Sequence, residues 1–261
     1  MNPDDLRKKL EIKSEPIVHV ASDPLTKKNI KLSVSNHITL NRAVTFFNKE
    51  PETIEWIRGF NEYSVFYDIG ANIGVFSLFA AVIKNCKVFS FEPNALNFGE
   101  LVKNVNLNNT LNIIPFCIGL SDTTEITKLF LKDLTTGSSG HSIKNSVDYN
   151  LNPVQRLNSQ GILSITLDDL TQNWKLPKPE HVKIDVDGIE HKIIEGASQL
   201  LNTKTLKSIL VELNVDKAPH RKIIQKMEDN NFWYDSEATE SRRKDYGFNK
   251  GEANYIFSRG Y

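Results

Sequence analysis

Acidic side chains recur where apolar runs of the sequence end. Asp68, Glu92 and Glu212 each close a short apolar run, and the segment Asp185-Val-Asp-Gly-Ile-Glu190 follows another. In a parallel sheet the carboxyl ends of the strands meet at one edge, so these carboxylates are expected to lie close together. Grouped carboxylates can attract a cationic group, accept hydroxyl hydrogens or take up a proton.

A glycine-containing turn follows the first of these runs. Val65–Asp68 is apolar up to its last residue, as in a strand that is buried on both faces, and Gly70-Ala71-Asn72-Ile73-Gly74 leads from it into an apolar helix. Glycine lets the backbone turn sharply and approach a ligand, and asparagine tolerates positive φ. The free N–H groups of the helix point into the turn. The pattern predicts a site for a nucleoside cofactor.

The charge of this turn discriminates between cofactors. The dinucleotide fingerprint Gly-x-Gly-x-x-Gly is not matched, because the chain has Gly70-x-x-x-Gly74 instead. Asp68 would repel a pyrophosphate, but it would attract the ammonium and sulfonium groups of S-adenosylmethionine. Glu92, at the next strand end, has the position of an acid that accepts ribose hydroxyls. The electrostatics favour S-adenosylmethionine over a nicotinamide cofactor.

Strands and helices alternate from residue 64 onward. Apolar runs and apolar periodicity predict strands at 65–68, 87–92, 113–118, 162–167, 181–185 and 208–213, and helices at 74–84, 94–108, 189–201 and 221–230. Pro115 places its strand at the edge of the sheet. Residues 232–234 and 254–257 are predicted to form an antiparallel pair, linked by 247–253. Repeated strand–helix units indicate a parallel sheet with helices on both faces.

The first 62 residues are predicted to be a helix and hairpin extension that packs on the main domain, residues 63–261. Residues 1–15 can form a short amphipathic helix, 17–20 and 30–34 alternate as a hairpin, and Pro51 opens a helix. Residues 133–161 are the least regular stretch. A loop of that length is usually functional or disordered, and we expect it to be the lid over a second substrate.

Composition excludes several classes of protein. The 261 residues include 32 Lys and Arg and 32 Asp and Glu, so the formal net charge of zero argues against a general nucleic-acid binder. No apolar run is long enough for a membrane span, and the first residues lack the apolar core of a signal peptide. Cys86 and Cys117 lack metal-ligand spacing, and no metal site is predicted. We expect a soluble cytoplasmic protein; its oligomeric state is not indicated.

Four motifs in order resemble the FkbM-type methyltransferase family. They are Asp68-Ile-Gly-Ala-Asn-Ile-Gly74, Phe91-Glu-Pro-Asn94, Thr166-Leu-Asp-Asp169 and Lys183-Ile-Asp-Val-Asp-Gly-Ile-Glu190. The resemblance covers roughly residues 64–215. It implies an α/β, Rossmann-like class I methyltransferase fold with a mostly parallel seven-stranded sheet flanked by helices, and S-adenosylmethionine as cofactor. Characterised members mostly O-methylate sugars or natural-product hydroxyls. This chain has Asp187 where the family usually has glutamate.

The resemblance also implies roles for individual residues. The residues implied to line the methionine end of the cofactor are Asp68, Gly70, Ala71, Asn72 and Gly74. The residues implied to hold the ribose or flank it are Glu92, Pro93 and Asn94, and those implied to meet the adenine are Ser121 and Asp122. Asp185, Gly188 and Glu190 would border the methyl-transfer site.

Candidates for the chemistry come from the same strand ends. Asp185 is the first candidate for a general base or for orienting the acceptor, and Glu190 and His191 come next. The candidate acceptor contacts are Ser138, His141, Asp187 and Glu212. The sequence thus favours an S-adenosylmethionine-dependent O-methyltransferase that acts on a sugar, glycan or related natural product, with a small molecule or glycan as its only partner.

Structural interpretations of these residues stay open. The acids of 185–190 can complement a helix dipole, Ser121 and Asp122 can form an Asx-type turn, and His191 can be a surface residue. Two other functions share the predicted fold: a nicotinamide-dependent oxidoreductase of Rossmann type, and a non-catalytic cofactor-binding domain.

Overall fold

The computed structural model describes residues 17–148, 152–244 and 250–259. The strands of these residues are β1 (Ile17–Ser22), β2 (Asn29–Val34), β3 (Val65–Ile69), β4 (Lys87–Phe91), β5 (Ile113–Phe116), β6 (Gly119–Leu120), β7 (Glu125–Leu131), β8 (Ser142–Ile143), β9 (Asn158–Ile165), β10 (His181–Ile184), β11 (Ser208–Asn214), β12 (Phe232–Trp233) and β13 (Glu252–Arg259). The helices are α1 (His37–Val44), α2 (Phe46–Lys49), α3 (Pro51–Arg58), α4 (Val75–Lys84), α5 (Ala95–Leu107), α6 (Leu167–Gln172), α7 (Glu190–Glu195), α8 (Ala218–Asp229) and α9 (Ser236–Glu240).

A seven-stranded sheet carries the strand-end acids. Its order is β12-β13-β11-β10-β3-β4-β5, and only β13 runs antiparallel to its neighbours. The predicted mostly parallel seven-stranded sheet is confirmed, as is the edge position of Pro115 in β5. From β3 the chain proceeds to β4 and β5 on one side, and it returns to β10 on the other. The switch in strand order, where ligands bind in such sheets, therefore lies between the ends of β3 and β10.

Apolar side chains cover both faces of this sheet. Consecutive strand residues point to opposite faces, so Tyr67 packs in one core with Ile223 of α8, whereas Phe66 packs in the other with Phe79 of α4. Ile30 of the β1–β2 hairpin and Ile57 of α3 belong to the second core. The predicted hairpin and the predicted helix at Pro51 are therefore integral to the fold. The boundary at residue 62 stays a prediction.

A smaller sheet lies outside the main one, with the order β6-β9-β7-β8. The predicted strand at 162–167 corresponds to β9, which begins earlier, at Asn158, within the stretch predicted to be irregular. β7 has no counterpart among the predicted elements. It pairs antiparallel with β9 over its whole length.

The helix predicted at 189–201 is shorter than expected. α7 ends at Glu195, and a separate 3-10 turn covers Leu200–Asn202. Gly196 lies so close to the neighbouring backbone that a Cβ there would stand 2.4 Å from the Ser121 carbonyl oxygen. A residue with a side chain would therefore not fit at this position.

The terminal strands pair antiparallel, but residues 254–257, which were predicted to pair with 232–234, pair with β11 instead. Phe232 and Trp233 pair with Arg259 and Ser258, while the first part of β13 pairs with β11. The predicted helix at 1–15 lies outside the described residues, as does part of the predicted link at 247–253. No helix within 17–148, 152–244 or 250–259 is both long and apolar enough to cross a membrane.

Candidate active site

The turn after β3 has the backbone geometry that its residue types predicted. Gly70, Asn72 and Gly74 have φ values of +79°, +50° and +86°. A Cβ on Gly70 would stand 2.0 Å from the Asp185 carbonyl oxygen, and one on Gly74 would stand 2.3 Å from Leu101 Cδ1. The glycines are therefore required both for their φ values and for close packing. Gly70 lets the ends of β3 and β10 come into contact, and Gly74 lets the turn pack against α5.

Glu92 is the buried acid beside this turn, with 5% of its surface exposed. Its Oε2 accepts the backbone N–H of Asn72 at 2.8 Å, and its Oε1 accepts that of Asn94 at 2.9 Å. Burial raises the pKa of Glu92 to about 7, although both N–H groups favour the ionised form. The carboxyl group is thus fixed in position and titrates near neutral pH.

Asp68 lies behind the turn. Its Oδ2 accepts the Ser77 hydroxyl at 2.5 Å, and that hydroxyl is 2.7 Å from Ser90 Oγ. Its Oδ1 is buried and has no hydrogen-bond partner among the described residues. Burial raises the pKa of Asp68, and the nearby Lys183 charge opposes that shift.

Lys183 is the buried cation of the site, with 1% of its surface exposed. It lies opposite Asp68 in the register of β10 and β3. Its Nζ is 2.5 Å from Asp185 Oδ2 and 4.7 Å from the centre of the Phe76 ring. Burial alone would raise the pKa of Asp185, but the Lys183 charge and hydrogen bond lower it below its usual range. Asp185 therefore keeps its negative charge and is a weak proton acceptor.

Two neighbouring cavities open at the ends of β3, β4 and β10. The first has a volume of about 150 Å³ and is lined by Gly70, Asn72, Glu92 and Asp185 among others. The second has a volume of about 630 Å³ and lies towards α7 and α8. The residues that line both cavities are Ser139, Val186, Asp187 and Glu212. The two cavities therefore share a wall that includes the acidic segment after β10.

The Ser/Gly loop, residues 137–141, closes over these cavities. The Ser138 carbonyl accepts the side-chain amides of Asn72 and Asn97, each at 3.0 Å. Asp187 Oδ2 accepts the backbone N–H groups of Gly140 at 2.5 Å and His141 at 3.1 Å. The shorter side chain at 187 thus reaches the loop. Burial raises the pKa of Asp187 to about 6, against the effect of these two bonds.

His141 lies inside this loop with donors near both ring nitrogens. The backbone N–H of Lys132 donates to its Nδ1 at 3.1 Å, and the Asn94 amide nitrogen is 2.8 Å from its Nε2. Burial lowers the pKa of His141 to about 4. The ring is therefore neutral at physiological pH.

The second cavity contains a buried carboxylate–imidazole pair. Glu190 Oε2 lies 3.2 Å from Nε2 of His220, and its Oε1 accepts the Gly188 backbone N–H at 3.2 Å. The His220 Nδ1 accepts the backbone N–H of Asn214 at 2.9 Å. Both side chains line the cavity. On the opposite wall, Glu212 forms an ion pair with Lys244 at 2.7 Å, and burial raises the pKa of Glu212.

The structure brings most of the predicted site residues to the two cavities. The predicted residues that line the first cavity are Gly70, Asn72, Glu92, Pro93, Asp185, Ser138, His141, Asp187 and Glu212. Glu190 lines the second cavity. The predicted residues that line neither are Asp68, Ala71, Gly74, Asn94, Ser121, Asp122 and His191. The Ser121 hydroxyl donates to the Asp122 carboxylate at 3.0 Å, and His191 lines a separate groove beside α8.

Several site residues were not predicted. Lys183 pairs with Asp185, His220 lies 3.2 Å from Glu190, and Arg42 of α1 lines the first cavity while its Nε donates to the Gly137 carbonyl at 2.8 Å. A lysine inside an otherwise apolar strand was the available indication for Lys183. Among the described residues no group of three or more His, Cys, Asp or Glu is arranged to hold a metal ion.

The strand order, the turn after β3 and the acids at the strand ends define a class I methyltransferase fold. The chain belongs to the methyltransferase FkbM domain family, whose model matches residues 68–234. Family membership confirms the predicted resemblance. It does not favour a nicotinamide-dependent oxidoreductase or a non-catalytic domain.

The chain is also similar to individual methyltransferases in sequence or in structure. The hexuronic acid methyltransferase AglP of Haloferax volcanii is 27% identical over 166 residues, and the match spans 62% of this chain and 62% of that protein. The crystal structure of methyltransferase FkbM from Methylobacillus flagellatus has a TM-score of 0.50 at 13% identity, covering 85% of this chain and 56% of that one. A precorrin-6y C5,15-methyltransferase from Geobacter metallireducens has a TM-score of 0.45 at 14% identity, covering 81% and 87%.

Proposed function

We propose that this protein is an S-adenosylmethionine-dependent O-methyltransferase whose acceptor is a hydroxyl of a sugar, a glycan or a related natural product. The observation that carries the proposal is the meeting of two cavities at the acidic segment after β10. One cavity adjoins the glycine turn and Glu92, and the other is large enough for a second small molecule. The name of the hexuronic acid methyltransferase relative supports a sugar-derived acceptor.

The residues of the first cavity fit S-adenosylmethionine. Glu92 has a fixed carboxylate for the ribose hydroxyls, and Gly70 and Asn72 line the cavity beside it. Asp185 supplies a permanent negative charge for the cationic end of the molecule. When bound, the cofactor would supply an electrophilic methyl group on a sulfonium centre.

The roles of the acids follow from their surroundings. Asp185 is paired with Lys183, so we assign it to charge complementarity and orientation rather than to proton uptake. Glu190 lines the second cavity and is our candidate for the group that accepts the hydroxyl proton. A positioned base of this kind contributes roughly 10²–10⁴-fold to a rate.

Positioning is the larger contribution that the chain can make. The Ser/Gly loop is fixed to the turn through Asn72 and to the segment after β10 through Asp187, so it separates the cavities from water. Holding two reactants in the productive geometry can supply roughly 7–11 kcal/mol of barrier reduction.

A transfer assay tests the proposal. Purified protein is incubated with methyl-labelled S-adenosylmethionine and a panel of nucleotide sugars and oligosaccharides, both with hexuronic acid units and with the matching neutral sugars. Mass spectrometry locates the methyl group in any product. Methylation of a sugar oxygen supports the proposal, whereas transfer to nitrogen or carbon, or to no member of the panel, counts against it.

A further inference from the structure

We propose that His220 is a positioning residue that orients the Glu190 carboxylate towards the acceptor. The pair lies in the second cavity, on two helices that the linear sequence separates by a full strand. This inference rests on the proposed function, because it assigns a purpose to the acceptor side of that site.

The hydrogen bonds around the imidazole fix its tautomer. Asn214, at the end of β11, donates its backbone N–H to Nδ1 at 2.9 Å, so Nδ1 is the acceptor nitrogen. In a neutral ring the proton then lies on Nε2. That nitrogen faces Glu190 Oε2 at 3.2 Å. His220 therefore presents an N–H donor to the carboxylate and cannot itself take up a proton at that nitrogen.

One oxygen of the carboxylate accepts the Gly188 N–H, and the other lies beside His220 and retains bonding capacity. Glu190 is 2% exposed and His220 is 3% exposed, so neither is solvated from outside. The contact between them is close but not aligned, and Glu190 Oε2 and His220 Nε2 have no aligned hydrogen bond within the described residues. A buried polar atom without a hydrogen bond is stabilised when a further partner binds to it, and a ligand hydroxyl in the cavity would be such a partner. Catalytic hydrogen bonds often tighten only when the substrate is bound.

The proton balance of this role is simple. The acceptor hydroxyl would donate to Glu190 and lose its proton to that carboxylate as its oxygen bonds to the methyl carbon. The carbon–sulfur bond would break in the same step, its electron pair remaining on sulfur in the departing neutral thioether, and the carboxylate would later release the proton to water. His220 keeps its own proton throughout. Its part is to hold one carboxylate oxygen in place, while the Gly188 backbone N–H holds the other.

The pair can be tested without any acceptor. Long-range ¹H–¹⁵N spectra of ¹⁵N-labelled protein at about pH 8, where an ordinary imidazole is neutral, distinguish the two ring nitrogens. The resonances of His220 are assigned by their loss in His220→Gln. We expect the Nε2–H tautomer in the wild type and a shifted Nε2–H resonance in Glu190→Gln. The proposal is overturned by an Nδ1–H tautomer, or by His220 resonances that are the same in Glu190→Gln as in the wild type.

The consequence for turnover is tested with three variants and the acceptor from the transfer assay. His220→Phe should lower kcat by at least about tenfold, up to the roughly 10²–10⁴-fold that the general base itself contributes, and leave S-adenosylmethionine affinity unchanged. His220→Gln, which keeps a donor near Nε2, should restore part of kcat. His181 is the matched control: it is buried and its Nδ1 is 2.7 Å from Ser208 Oγ, at the opposite end of β10, so His181→Gln should leave kcat unchanged.

The outcomes separate the two proposals. If the wild type transfers no methyl group, the proposed function fails, while the spectra still decide whether His220 orients Glu190. If transfer occurs and His220→Phe, still folded by circular dichroism, keeps the wild-type kcat, the positioning role is wrong and the proposed function stands.

Discussion

Protonation of Glu92 should weaken cofactor binding in a pH range that experiments can reach. The carboxyl group is buried, both its oxygens accept backbone N–H groups, and its pKa is raised to about 7. Ribose hydroxyls donate to an ionised carboxylate, so binding favours the charged form of Glu92. The raised pKa means that this form is lost as the pH falls through about 7, well above the usual range for glutamate.

The size of the expected change in affinity follows from the pKa of Glu92. The ionised fraction of Glu92 falls from about nine-tenths at about pH 8 to about one-tenth at about pH 6. If only the ionised form binds well, the dissociation constant of S-adenosylhomocysteine should rise about tenfold, or about 1.4 kcal/mol, over this interval. Isothermal titration calorimetry at matched ionic strength measures the change.

Two variants isolate the contribution of Glu92. Glu92→Gln cannot titrate, so it should bind more weakly at about pH 8 and lose the pH dependence that this group causes. Glu100 is equally buried but lies on α5 away from both cavities, so Glu100→Gln should keep the wild-type profile. Titration of the ligand's own amino group affects all three proteins alike. A wild-type affinity that is constant from about pH 8 to about pH 6, or a profile unchanged in Glu92→Gln, would refute this role for Glu92.

Three further predictions concern the groups that hold the site together. Lys183→Met should lower the free energy of unfolding by about 3–5 kcal/mol because it leaves buried carboxylates without a counter-charge. Lys144→Met, at an ammonium that is 50% exposed and pairs with the 36% exposed Glu125, should leave it nearly unchanged; denaturant unfolding of both variants that gave equal losses would contradict this. Asn72→Ala should be less stable than Asn72→Gly by about 1–2 kcal/mol, because alanine is strained at φ +50°, and equal melting temperatures would show that the backbone cost is absent. Asp187→Ala should increase amide hydrogen exchange at Gly140 and His141 while β10 stays protected, and unchanged exchange would mean that other contacts hold the loop.

The features that depend on strand ends could be predicted from the sequence. Parallel strands bring their carboxyl ends to one edge whatever connects them, so acids at four strand ends indicated one site before any contact was known. The positive φ values of Gly70, Asn72 and Gly74 also follow from residue type and local spacing. These backbone angles depend on local sequence, and they can be predicted without knowledge of any tertiary contact.

The pairing of charges could not be predicted in the same way. Lys183 meets Asp68 only because β10 and β3 pair in one particular register. His220 reaches Glu190 only because α8 packs beside α7. Both contacts depend on tertiary arrangement, and each sets the chemical role of an acid that the sequence alone identifies.

The smaller sheet was missed for a related reason. β7 exposes Ile126, with 88% of its surface accessible, so its apolar pattern does not mark one buried face. β9 begins with the polar residues Asn158, Ser159 and Gln160, which are typical of a loop. Pairing between the two strands determines their structure, and neither carries a strong local preference.

The most direct test of the central claim is a calorimetric titration of the wild-type protein with S-adenosylmethionine, with NAD as the comparison ligand. The claim is that the cavity between the turn after β3 and the acidic segment after β10 binds a cationic nucleoside cofactor. Saturable one-site binding of S-adenosylmethionine, with no detectable binding of NAD, is the predicted result. A folded sample that gives no heat with S-adenosylmethionine, or that binds NAD more tightly, would contradict it.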